Sequence, residues 1–145
     1  MIKIVCLGKI KEEYLRQALD DYEKRIRRYH KLEIIELKDD DDIFKEEALL
    51  LKWIDTRNLN ILLDIQGDRV SSTKFAEIID NIFNHYGTIV FFIGGSNGVT
   101  KKIKELVDLK ISFGDITMPH GLFRCVLLEQ IYRSFKINNN ESYHK

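Results

Sequence analysis

Short apolar runs alternate along this chain with segments in which apolar residues recur at helical spacing. The runs at residues 2–7, 32–37, 60–65, 88–93 and 109–113 read as strands, most of them rich in β-branched and aromatic side chains. Each is followed by a segment of helical period, and that alternation predicts an α/β fold, a parallel sheet with helices on both faces. In the first helical segment Tyr14, Ala18, Tyr22 and Ile26 recur at four-residue steps with Leu15 and Leu19 beside them, a broad apolar stripe for packing on a sheet. Phe75, Ile78, Ile79, Ile82 and Phe83 repeat the pattern in the third. Ser71 or Ser72 is placed to cap that helix, and Pro119-His-Gly121 marks the expected start of the last one. One proline and eight glycines leave no linker, repeat or low-complexity stretch, so a single domain is expected over residues 1–145. Only the tail after Ile137 lacks periodicity.

Composition narrows the classes. With 145 residues, 44% hydrophobic and 32% charged, the chain has the apolar material for one compact core. Lys plus Arg number 23 and Asp plus Glu 23, so there is no whole-chain pull toward nucleic acid, and RNA binding would rest on a local patch. Cys6 and Cys125 sit among aliphatic residues and read as small core hydrophobes, not a disulfide. No run approaches the roughly 18 apolar residues of a membrane span, and the N-terminal apolar run is too short for a signal peptide, so a cytoplasmic protein is expected.

Candidate chemistry concentrates late in the chain. The run Thr88-Ile-Val-Phe-Phe-Ile93 enters Gly94-Gly-Ser-Asn-Gly98, and Gly114-Asp-Ile-Thr-Met-Pro-His120 follows one short apolar segment later. Glycines at a strand end leave backbone groups approachable, because no Cβ stands in the way. There is no Gly-x-Gly-x-x-Gly and no Lys-Ser/Thr after the glycines, so neither a dinucleotide nor a nucleoside triphosphate is implied. Ligands of parallel sheets bind beyond the carboxyl ends of strands, which selects three places: 64–68, 94–98 and 114–120. Taken singly, each reads as a tight strand-to-helix turn, but three glycine turns on one edge weigh toward a site.

Asp64-Ile-Gln-Gly67, Phe92-Ile-Gly-Gly-Ser-Asn-Gly98, Ile116-Thr-Met-Pro-His120, Arg124 with Leu128-Glu-Gln-Ile-Tyr-Arg133, and Tyr143-His-Lys145 form an ordered set. Together they resemble the ribosomal RNA large subunit methyltransferase H family of the SPOUT superfamily, over essentially the whole chain. The resemblance implies a SPOUT fold with a C-terminal trefoil knot, an exception to the rule that chains do not thread. It implies S-adenosylmethionine-dependent methylation of N3 of a pseudouridine in large-subunit rRNA of the assembled ribosome, by a homodimer with a composite active site. The positions matching the family's cofactor site are Leu63, Gly94, Phe113, Gly114, Asp115, Ile116, Thr117 and Met118. Relatives commonly carry a serine and then a small or basic residue where this chain has Gly114-Asp115, which puts a carboxylate in the expected cofactor loop.

A sulfonium methyl donor needs no metal, only an aligned and unprotonated nucleophile. His144, with a near-neutral intrinsic pKa and flanked by Tyr143 and Lys145, is the candidate acid–base group, unless the tail is simply a frayed terminus. Glu129 and Arg133 stand at i,i+4 on the last helix and share a face. They form either a helix-stabilising pair or a site in which Glu129 orients the base or tail, and Arg124 and Arg133 hold phosphates. His120 reads as a capping or packing group. The cations of 24–31, with Tyr29 among them, suit an RNA backbone or the negative end of the first helix. The acidic run 39–42 reads as a solvated helix start, since adjacent carboxylates lack calcium-loop spacing, and Trp53 reads as core. Two other readings stand beside the enzyme: a non-catalytic RNA-binding module of the same fold, and a flavodoxin-like or receiver-like domain.

Overall fold

The computed structural model describes residues 1–145. Five strands alternate with five helices: β1 Ile2–Leu7, α1 Glu13–Arg27, β2 Leu32–Leu37, α2 Ile43–Leu51, β3 Leu59–Arg69, α3 Ser72–Phe83, β4 Ile89–Ile93, α4 Lys101–Leu106, β5 Leu109–Ser112 and α5 His120–Asn138. All strand pairings are parallel, in the order β2-β1-β4-β3-β5. A flavodoxin-like sheet runs 2-1-3-4-5 instead, so the receiver-like reading is excluded by topology.

The period-2 alternation of the strands splits the core in two. Ile2, Ile4, Ile61, Ile89 and Phe91 face the larger cluster, into which α1, α3 and α5 pack, while Val5, Leu62, Val90 and Phe92 face a smaller one beneath α2 and α4. Helix α5 lies on the larger face between α1 and α3 and is buried nearly all round, from Arg124 to Phe135. Cys6 and Cys125 are free, buried thiols of this cluster, and burial pushes Cys6 up to about 11. Asp42 Oδ1 accepts from the Phe44 N–H and caps α2, Ser71 caps α3, and Thr100 caps α4. The acidic run therefore opens a helix, as its composition predicts.

Four expectations need correction. Residues 64–68 are not a turn: β3 continues to Arg69, with a register shift against β5 between Leu63 and Asp68. Gly67 permits this, because a Cβ there would lie 2.6 Å from the Lys110 carbonyl carbon. Tyr14 is 69% exposed, while Leu15, Leu19 and Ile26 are buried. Successive four-residue steps advance beyond a full helical turn, so a residue three steps from Ile26 has rotated off the buried face. Trp53 is only half-buried, against the smaller cluster with the Lys3 ammonium over its ring. Finally, Arg124 is no surface cation, as its contacts below make plain.

Candidate active site

Beyond the carboxyl ends of β3, β4 and β5 lies a cavity of about 610 Å³. Its walls come from Leu63, the 94–98 turn and the segment that leaves β5. Gly94 is required by close packing, because a Cβ would stand 2.8 Å from Val99 Cγ1 and 3.2 Å from the Gly98 carbonyl carbon. Gly98 closes the turn at φ +73°, donating its N–H to Gly95 O at 3.0 Å. At φ +124°, Gly114 is held by Ser112, whose Oγ accepts from the Gly114 N–H and donates to its carbonyl, both at 3.1 Å. The N–H groups of Gly94, Ile116, Thr117 and Met118 make no internal hydrogen bond and so remain available to a ligand. Asp64 and Lys104, 3.7 Å apart, are paired in the cavity wall, and the remaining lining apart from His120 carries no ionisable side chain. Unpaired backbone donors between apolar walls suit a ligand with a flat hydrogen-bonding edge and apolar faces, such as a nucleoside carrying an aliphatic chain. The S-adenosylmethionine implied by the family resemblance has that character, and the residues present fit it.

Seven of the eight matching positions line this cavity: Leu63, Gly94, Phe113, Gly114, Ile116, Thr117 and Met118. Asp115 does not. Its side chain is exposed and pairs with Arg69, so it ties the loop to the extension of β3.

The second group of residues lies along α5 and the tail. Arg133 donates to Glu129 Oε1 from Nη2 at 2.6 Å and from Nε at 3.0 Å. Tyr143 donates to the same oxygen at 3.1 Å, the Arg133 guanidinium lies 4.8 Å from the Tyr143 ring, and Arg133 Nη1 is 3.0 Å from His144 Nδ1. Burial, then the Glu129 carboxylate, raises the Tyr143 phenol, and hydrogen bonding to Glu129 raises the Arg133 guanidinium further. The tail is fastened here and not frayed: Tyr143 packs edge-on to Tyr132 at 4.9 Å, and Glu141 accepts from Tyr29 at 2.9 Å and Lys136 at 2.8 Å. Thus Glu129, Arg133, Tyr143 and His144 form one cluster, but none of the four lines the cavity. Within one chain the two groups are separate.

Two charged groups are buried against expectation or without one: Arg124, expected to hold phosphates, and Glu46, which the sequence did not single out. Arg124 is 1% exposed and donates to Glu36 at 2.6 Å and to the Gly8 carbonyl at 3.0 Å, with Nη2 3.4 Å from His120 Nδ1. It cannot hold a phosphate, because its charge is neutralised within the core. Its position among Cys125, Leu127 and Leu128 was the available signal, since an arginine amid core residues requires a buried partner. His120, which the sequence reading left as a capping or packing group, reaches the cavity lining, and burial followed by the Arg124 charge lowers its pKa. The other group is Glu46, 2% exposed beneath the 94–98 turn.

Part of the basic stretch is satisfied internally. Arg25 pairs with Asp21 and Arg27 with Glu23, each at 3.0 Å, while His30 stacks on Phe83 at 4.3 Å. Lys24, Arg28 and Lys31 are its cations without an ion-pair partner.

Comparison with known proteins agrees with this geometry. A family model described as "Predicted SPOUT methyltransferase" matches residues 1–144. The chain is 42% identical to a ribosomal RNA large subunit methyltransferase H of Caldicellulosiruptor saccharolyticus, with all of both chains covered. It is 44% identical to the protein of that name from Fusobacterium nucleatum, over 99% of each, and 46% to that of Oenococcus oeni, over 99% of this chain and 98% of the other. Among solved structures it is similar in fold to the SpoU methyltransferase AviRb of Streptomyces viridochromogenes, crystallised in complex with the cofactor AdoMet. The TM-score there is 0.53 at 10% identity, over 92% of this chain and 57% of that one.

Proposed function

The chain belongs to the SPOUT methyltransferase family, and on that premise we propose that it methylates large-subunit ribosomal RNA, taking the methyl group from S-adenosylmethionine. The target in this reading is N3 of a pseudouridine in the assembled ribosome, in the cytoplasm. The observation that carries the reading is the backbone-lined cavity, in which Leu63, Gly94 and the 113–118 segment converge. Full-length relatives bearing an rRNA methyltransferase name support the choice of substrate. The C-terminal trefoil knot belongs to the same proposal, since the 94–98 and 113–118 segments that meet at the cavity are those the resemblance places in it.

Bound S-adenosylmethionine would supply a methyl carbon on a sulfonium, already carrying its leaving group. The protein's task is then to hold the nucleoside N3 in line with that carbon and to make the N3 proton easy to lose. The tail cluster carries groups for this task. A guanidinium only donates, so Arg133 fixes His144 Nδ1 as an acceptor, and the neutral ring holds its proton on Nε2. In that tautomer His144 presents a donor suited to a carbonyl oxygen beside N3, where negative charge grows as the imide ionises, while the N3 proton passes to solvent. Glu129 orients Arg133 and Tyr143 through its Oε1. Since the cluster and the cavity are separate in one chain, the active site of this proposal is composite: a homodimer in which the tail of one subunit faces the cavity of the other.

The direct test is transfer of labelled methyl from S-adenosylmethionine to ribosomes whose large-subunit pseudouridines are present but unmethylated, with the product nucleoside located by mass spectrometry. Label on N3 of a pseudouridine is expected. Cofactor binding without transfer would favour the non-catalytic RNA-binding module instead.

A further inference from the structure

Glu46 stands in the first turn of α2, near the positive end of the helix that Asp42 caps. Its carboxylate is buried beneath the 94–98 turn. Oε2 accepts from the Asp40 N–H at 3.1 Å, while Oε1 is buried without a hydrogen-bond partner. Both oxygens lie against Gly95: a Cβ there would stand 2.9 Å from Oε2 and 3.2 Å from Oε1. What a side chain at 95 would meet is thus the carboxylate end of a residue from another element, which would have to move to admit it. The neighbouring Glu47 accepts from Thr100 Oγ1 at 2.6 Å, and that hydroxyl also caps α4. Helix α2 thus grips the turn at 95 and just beyond it at 100. A buried carboxylate oxygen without a partner is costly, so its presence calls for an explanation.

We propose that Glu46 is a positioning residue of the ligand cavity: its carboxylate, wedged between the Asp40 N–H and the bare face of Gly95, sets the 94–98 turn whose backbone the ligand meets. Glu46 does not line the cavity and acts through the turn. The role rests on the cofactor reading above.

The test is a cycle of Gly95→Ala, Glu46→Asp and the double variant, with affinity for S-adenosylhomocysteine measured by calorimetry and Tm measured in parallel. Gly95→Ala should weaken binding about ten-fold, because the new methyl meets the carboxylate. Glu46→Asp withdraws the oxygens by one methylene, so the double variant should bind more tightly than Gly95→Ala alone. A purely structural role would move Tm and leave the affinity of the folded protein unchanged. No binding by the unaltered chain would overturn the cofactor reading and this role with it. Binding by the unaltered chain, with Gly95→Ala equally tight or with losses that simply add, would overturn the role of Glu46 alone.

Discussion

At the ends of β3, β4 and β5 the chain presents backbone: glycines, unpaired N–H groups and apolar walls, with one internally neutralised ion pair. On the last turns of α5 it presents side chains gathered around Glu129, with an arginine, a tyrosine and a histidine held by charge and ring contacts. The first region is shaped by the bare backbone of its glycines, since a Cβ at 94 would stand 2.8 Å from Val99 and one at 95 would displace the Glu46 carboxylate. The second is shaped by what must be there, since removing Glu129 would leave Arg133 and Tyr143 without their shared acceptor. A donor alters the chemistry of what it touches only where it is aimed at developing charge, whether it comes from backbone or side chain. In the proposed mechanism the first region holds the cofactor and the second acts on the nucleoside.

Substitution at the two regions should expose that separation. Gly94→Leu forces a side chain into the space of Val99 and Gly98. Cofactor affinity by calorimetry should fall about 100-fold, with a stability loss of about 1–3 kcal/mol in thermal unfolding. His144→Ala should lower turnover by about 100-fold while leaving cofactor affinity within about two-fold, a split visible in kcat against Kd. Equal loss of binding in both variants would break the comparison. Arg133→Ala removes the contact to His144 and the pair with Glu129, so the tail should become sensitive to limited proteolysis and turnover should fall about ten-fold, again with cofactor affinity retained.

The legibility of the two regions also differed. Strand positions were readable because β-branched runs repeat with the sheet's period, and the cavity loops were readable because glycines end those runs. The extension of β3 was not, since Gln66, Gly67 and Asp68 look like a turn when the paired Lys110 backbone is unseen. Nor was the fate of Arg124, whose partners Glu36 and Gly8 are distant in sequence. The tail cluster was legible residue by residue, because Glu129 and Arg133 share a helix face. That it lies apart from the cavity depends on how α5 crosses the sheet, which no local period encodes. The strand order β2-β1-β4-β3-β5 is likewise a property of crossovers and not of the strands themselves.

Smaller effects sharpen the picture further. His30 and His120 both titrate below 6.5 in the folded chain, mainly because burial disfavours their charged forms. Between their folded values and 6.5 the unfolded chain binds more protons, so their contribution to stability is complete above pH 6.5 and is lost as pH falls below it. Tm should therefore decline from about pH 7 downward through their titration, and His120→Gln should flatten that slope. Least consequential should be Asp115→Asn, which breaks only an exposed pair with Arg69. A change within about 0.5 kcal/mol in thermal unfolding is expected, with cofactor affinity nearly unchanged.

Methyl transfer to pseudouridine-containing, unmethylated ribosomes by a mixture of Gly94→Leu and His144→Ala chains tests the central claim most directly, beside the unaltered enzyme and each variant alone. Each variant alone should be nearly inactive, and the mixture should regain activity, because a mixed dimer pairs the intact cavity of one chain with the intact tail of the other. A mixture as inactive as its components, alongside an active unaltered enzyme and demonstrable exchange of subunits, would contradict the composite site.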